Sequence, residues 1–178
     1  MNDIHADVKA CRSLGRLLVR DRATATEPVV FAMRRPAMDA NENKRLLQDI
    51  FDRTAERDGS LFAASLAEEV TWLVTGQNAW SGLFRGKQEV LGKLQAHFRS
   101  LMAERPRTVP LRIFADGDHV IVEAKGDNVT KVGVRYDQDY CMVFRLEGGR
   151  IVEIREYACS ALVERALGVF PAELAPAV

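Results

Sequence analysis

Apolar positions along the chain change their spacing as the sequence proceeds, and each change marks an element. Leu46, Leu47, Ile50 and Phe51 recur at helical spacing and Thr54 continues their stripe, which predicts a helix opening near Asn41. Asp39 or Asn41 can cap its start, and Asp58-Gly59 can end it. A short second helix is expected from Ser60, burying Leu61, Phe62 and Leu66. Val70-Thr-Trp-Leu-Val-Thr75 alternates and is rich in β-branched and aromatic residues, the pattern of a strand. Residues 76–85 read as a loop. From about Lys87 to Ala103, the residues Val90, Leu91, Leu94, Phe98, Leu101 and Met102 return to a helical stripe. Beyond it the period becomes two, predicting strands over Val109–Ala115, His119–Lys125, Val134–Leu146 and Ile151–Ala158. Asp116-Gly117 and Gly148-Gly149 are tight hairpin turns, the second because two glycines accept positive φ in succession. Ser160 is expected to cap a last short helix ending at Leu167 and Gly168. The tail, with Pro171 and Pro176, is expected to fray.

Helices followed by a strand meander make an α+β arrangement rather than an alternating α/β one. A strand as long as Val134–Leu146 would extend about 43 Å at ~3.3 Å per residue, and twist forces such a strand to curl. Three helices laid on the concave side of a curled sheet leave a conical cavity. Residues 38–168 are therefore expected to form the domain, with 169–178 as a tail. Residues 1–37 differ. Ile4, Val8, Cys11, Leu14 and Leu18 make one helical stripe, with Arg12, Arg16 and Arg20 on another side. The segment is expected to be an extension, partly helical or disordered, that the fold does not need.

Composition narrows the function classes. The chain has 178 residues and 25 basic against 25 acidic groups, a balance that offers no field for nucleic acid. Val29–Met33 is only five residues long, far short of the roughly 20 apolar residues of a membrane span. The N-terminus lacks the apolar core of a secretory signal, and Cys11, Cys141 and Cys159 show no CxxC spacing. Free thiols in a reducing cytoplasm are the expectation. No His or Cys cluster has metal spacing. Gly82-Leu-Phe-Arg-Gly86-Lys87 superficially suggests a phosphate loop, but its spacing is short and Gln88 stands where Ser or Thr would hold magnesium.

Several local motifs coincide with one family. Glu69-Val-Thr-Trp72, Ser81-Gly-Leu-Phe-Arg-Gly-Lys87, Asp118-His-Val-Ile-Val-Glu123, Tyr140-Cys-Met-Val-Phe-Arg145 and Gly149-Arg-Ile-Val-Glu-Ile-Arg-Glu-Tyr157 occur in that order. On these, the segment Glu42–Gly168 resembles the SnoaL-like, ketosteroid-isomerase-related branch of the nuclear transport factor 2-like superfamily. The resemblance implies a cone-shaped barrel: a curved, mostly antiparallel sheet with three helices on its concave face. It implies less about reaction, because the superfamily holds isomerases, epoxide hydrolases, polyketide cyclases and proteins that only bind or dimerise. The polar residues of a steroid isomerase would align with Val74, Ile50 and Met142, all apolar, which argues against that reaction. Many relatives end the last strand with Tyr-x-Asp, whereas this chain has Tyr157-Ala-Cys159.

Given the resemblance, strand parity points Tyr136, Gln138, Tyr140, Met142 and Phe144 inward on the long strand, and Val152, Ile154, Glu156 and Ala158 on the last. Glu156 is then a carboxyl against a mostly apolar wall, where desolvation raises its pKa and suits it to proton transfer. Tyr140 is its expected hydrogen-bonding neighbour. The competing reading is that Glu156 pairs with an arginine and only satisfies its own charge. Trp72, Trp80 and Phe84 are candidates to line the mouth of a pocket for a hydrophobic molecule, or else plain core. Ile154, Met142 and Phe144 join the ligand-binding candidates. Asn78 is a candidate to orient a polar ligand group, and His97 to shuttle a proton, unless it is simply a partly exposed helical histidine. The implied chemistry is acid/base work on a small hydrophobic ligand without a metal or organic cofactor. A homodimer through the outer sheet face is expected, since Cys141 and Val143 want cover there. The alternative is a non-catalytic ligand-binding or dimerisation module.

Overall fold

A computed structural model describes residues 39–176; the extension read over residues 1–37 lies outside the described residues. Helix α1 (Ala40–Ala55) starts at Asp39, which accepts from Glu42 N at 2.8 Å while the Glu42 carboxylate accepts from Asp39 N at 2.9 Å. This reciprocal capping box settles the start on Asp39 rather than Asn41. The helix stops at Ala55, three residues before Asp58: Asp58 N donates to Arg53 O at 2.8 Å, and Arg57 takes a left-handed φ of 66°. Helix α2 (Ser60–Ser65) runs directly into β1 (Leu66–Val74).

Strand β2 (Gly82–Arg85) lies in the segment read as loop. Four residues that open on Gly82 and stop before Gly86 carry too little pattern to announce a strand, and pairing with β1 holds it. The next helical stretch has three parts: α3 (Lys87–Glu89), a π-helical segment (Val90–Gln95) and α4 (Ala96–Leu101). The wider π turn presents Leu91, Leu94 and Gln95 to the same interior space.

The sheet continues with β3 (Thr108–Asp116), β4 (His119–Gly126), β5 (Asp139–Glu147) and β6 (Arg150–Tyr157), in the order β2-β1-β6-β5-β4-β3. Every pairing is antiparallel except β1 with β6. Gly148 and Gly149 have φ of 54° and 77°, as the tight β5–β6 turn requires. Register shifts interrupt the β1–β6, β3–β4 and β5–β6 ladders, and such bulges bend a sheet. The curved sheet stays open, with β2 and β3 as its edges. Helix α1 covers β3 and β4, and α3 with the π segment packs on β1.

Strand β5 begins at Asp139, not at Val134. Past Gly126, the Asn128 side chain turns onto Arg107, accepting from its N at 2.8 Å and donating to its O at 3.0 Å. Regular pairing loosens there but backbone contacts persist, with Gly126 N donating to Gln138 O at 2.7 Å and Tyr136 N to Asn128 O at 2.9 Å, and Tyr136 and Gln138 stay buried. Helix α5 (Ser160–Leu167) has Cys159, not Ser160, at its N-cap. The start of the tail packs rather than frays. Phe170 is 4% exposed, with its ring 4.7 Å from Trp80 and 5.7 Å from Phe84.

Candidate functional site

The inner face of β6 carries Ile154 and Glu156. Glu156 stands in register between Val74 of β1 and Met142 of β5. These are two of the positions expected to be polar in a steroid isomerase. Ile50, the third, lines the same cavity. The one carboxyl of the group thus sits on the strand between two apolar neighbours. The end of β6 is pinned where Glu156 O accepts from both Thr75 N at 3.0 Å and Thr75 Oγ1 at 2.7 Å.

The Glu156 carboxyl lines a cavity of about 360 Å³. Phe51, Phe62, Leu91, Leu94, Phe98, Met142, Phe144 and Leu167 supply much of its apolar wall. Removal from water pushes the Glu156 pKa up to about 7. The Trp72 Nε1–H donates to Glu156 Oε2 at 3.1 Å and favours the charged form, but only partly opposes the burial. Among the described residues no arginine forms an ion pair with Glu156. Trp72 is 4% exposed and reaches the acid from depth rather than standing at the mouth.

Tyr140 and Tyr136 also line the cavity, and the Tyr140 hydroxyl bonds to Tyr136 rather than to Glu156, its expected partner. Burial holds the Tyr140 hydroxyl well above its ordinary range, with Tyr136 and Glu156 adding to the effect. Tyr136 is pushed to about 12, first by burial and then by Glu156. Both phenols therefore stay protonated and able to donate. Gln138, fully buried, holds the neighbouring backbone. Its Nε2 donates to Cys159 O at 3.1 Å, its Oε1 accepts from Cys159 N at 3.0 Å, and Nε2 lies 3.5 Å from the Tyr136 hydroxyl.

The other candidates divide. Met142, Phe144 and Trp80 line the cavity, Trp80 with its indole N–H donating to Gly168 O at 3.0 Å. Phe84 and Ile154 are fully buried and do not line it, so they are core. Asn78 is a turn former: its Oδ1 accepts from Trp80 N at 2.9 Å. His97 stacks on Trp80 at 5.2 Å and meets Phe170 edge-on, outside the cavity lining. Burial lowers its pKa, partly offset by Glu173. Phe62, Leu91 and Phe98 also line the cavity, as do Arg57, Arg99 and Arg105, and nothing in their sequence pattern announces it. The apolar ones sit on helical stripes that read as core, and a lone surface arginine carries no pattern.

Among the described residues no group of His, Cys, Asp and Glu could hold a metal ion, and no helix is long and apolar enough to cross a membrane. No curated protein matches the sequence significantly. Solved structures do match in fold. An NTF2-like protein from Burkholderia xenovorans is 22% identical with a TM-score of 0.56, over 72% of this chain and 98% of that one. An NTF2-like protein from Burkholderia thailandensis is 17% identical with a TM-score of 0.61, over 70% and 96%. A protein with a ketosteroid isomerase-like fold from Catenulispora acidiphila, in complex with trimethylamine, is 17% identical with a TM-score of 0.57, over 74% and 97%. The SnoaL-like domain model matches residues 47–154, the stretch from the buried face of α1 through β6 at Ile154, and the chain belongs to that family.

Proposed function

We propose that this SnoaL-like domain takes a small, largely apolar molecule into its cavity and moves a proton on it, with Glu156 as acid/base and Tyr140 as hydrogen-bond donor. The observation that carries this reading is the Glu156 carboxyl, set in an apolar wall with an indole N–H as its described side-chain partner and a pKa of about 7. Such a group is half ionised near neutrality, where a general base and its conjugate acid are both available. On a ligand with an enolisable carbonyl, the carboxylate takes the proton from the carbon beside it. The C–H electron pair moves into the carbon framework, and the carbonyl oxygen gains charge that the Tyr140 O–H stabilises. Return of the proton to carbon restores the carboxylate. The chemistry needs neither a metal nor an organic cofactor.

The test is exchange of the α-protons of α-tetralone, an apolar bicyclic ketone, followed by proton NMR in heavy water. Exchange faster than in buffer is expected, and Glu156→Gln should remove most of it, by about 10²- to 10⁴-fold. Exchange at the buffer rate with folded wild-type protein would sink the catalytic reading.

A second reading rests on the outer sheet face. Phe114, Ile121 and Val143 are side by side in register, and Phe114 and Ile121 are 52% and 39% exposed. A second copy of the chain would cover this apolar row. Sedimentation equilibrium should then show a dimer that Val143→Lys converts to monomer; a wild-type monomer would remove this reading.

A further inference from the structure

The open end of the cavity is built unlike its floor. Arg57, Arg99 and Arg105 line it together with a single acid, Asp58. Two of these four groups are already engaged. Arg57 pairs with Glu104 at 2.9 Å and donates to the Arg105 carbonyl. Asp58 accepts from Ser60 N at 2.9 Å and lies 3.8 Å from Arg53. Arg99 makes no ion pair or side-chain hydrogen bond among the described residues, and both Arg99 and Arg105 are exposed. Asp58 feels Arg105 only as its weakest neighbour. The rim therefore carries positive charge that the protein leaves unspent, above low-dielectric walls that focus its field. Glu156 lines the same cavity but feels none of these arginines, so it stands away from them, and it repels an anion whenever it is ionised.

This asymmetry orients any charged ligand. Resting on the reading that the cavity binds a small apolar molecule, we propose that its natural ligand class is an amphipathic monoanion. Its apolar body fills the cavity, and an oxyanionic group such as a carboxylate or sulfonate is held at the rim by Arg99 and Arg105. The end remote from the charge then faces Glu156 and Tyr140, so the charged group sets which part of the ligand reaches the acid.

Two dyes of similar skeleton test this: anilinonaphthalene sulfonate, an anion, and phenylnaphthylamine, which is neutral. Fluorescence titration of the folded full-length chain should find the anion bound about tenfold more tightly at low salt, with the advantage shrinking as salt rises. The double variant Arg99→Ala/Arg105→Ala should erase the preference while leaving the neutral dye unchanged, and Arg99→Glu/Arg105→Glu should invert it. Ala63→Trp, which fills the cavity, should weaken both dyes. If both dyes bind wild type equally, or the alanine variant keeps the preference, the anion inference is overturned and the apolar pocket stands. If neither dye binds, or Ala63→Trp changes neither, the pocket reading falls and this inference with it.

Discussion

Replacing Glu156 by Gln removes one titration while preserving shape and leaving an amide oxygen to accept from the Trp72 indole. The folded-state pKa of about 7 lies above the ordinary value of 4.5, so the folded protein binds this proton more tightly than the unfolded chain does. The linked stabilisation is fully present below about pH 4.5 and is lost as pH rises through about 7. Each pKa unit corresponds to about 1.4 kcal/mol, so wild type loses about 3 kcal/mol from this one group across that range. The glutamine variant loses none of it. Its stability relative to wild type should therefore climb by about 3 kcal/mol between pH of about 4.5 and about 8. Asp58, Glu89, Asp127, Glu153 and His97 also have lowered pKa values, but they are present in both proteins and drop out of the difference. Urea unfolding of both proteins at a series of pH values measures the difference, provided the m-values agree. A difference that stays flat, or slopes the other way, would refute the burial argument, because the carboxylate would then be hydrated or paired with a cation.

Trp72→Phe removes the one hydrogen bond that favours the ionised acid, so the Glu156 pKa should rise from about 7 by about one unit, read by carbon NMR of labelled glutamate. Phe170→Ala deletes the ring that Trp80, Phe84 and His97 pack against; urea unfolding should show a loss of about 3 kcal/mol, and a loss under about 1 kcal/mol would mean the tail is not part of the core. Gln138→Leu strands the Cys159 N–H, while the Cys159 carbonyl still accepts from Leu162 N and Val163 N, and should destabilise by about 2 kcal/mol, with faster amide exchange at Cys159; unchanged exchange there would discount the clamp.

The parts of this molecule legible in its sequence are those governed by alternation. Within each strand, alternation puts Met142 with Phe144 and Ile154 with Glu156, but counting from the Gly148-Gly149 turn would set Phe144 beside Glu153; the register shift between Arg145 and Leu146, which no sequence pattern announces, is what brings Phe144 beside Ile154 and Met142 beside Glu156. Tyr136 and Gln138 are buried although the regular strand begins after them, and backbone bonds from Tyr136 N to Asn128 O and from Gly126 N to Gln138 O hold them beside the preceding chain. Strand β2 was not legible, since Gly82–Arg85 is defined by its partner β1 and not by its own residues.

The division between wall and core was not legible either, for a general reason. Phe84 and Ile154 are packed into the core while Phe51 and Phe144 line the cavity, yet all four are buried. Hydrophobic pattern records that burial and is blind to whether the neighbour is another side chain or a cavity. An ionisable residue at an inward position breaks the degeneracy. Close-packed against Val74 and Met142, a carboxyl would face a desolvation penalty that a single indole N–H offsets only in part, whereas beside a cavity it keeps space for a ligand to complete its hydrogen bonds. Glu156 is that residue here, and an acid at an inward strand position is the feature of the linear sequence that argues for a hollow rather than a filled interior.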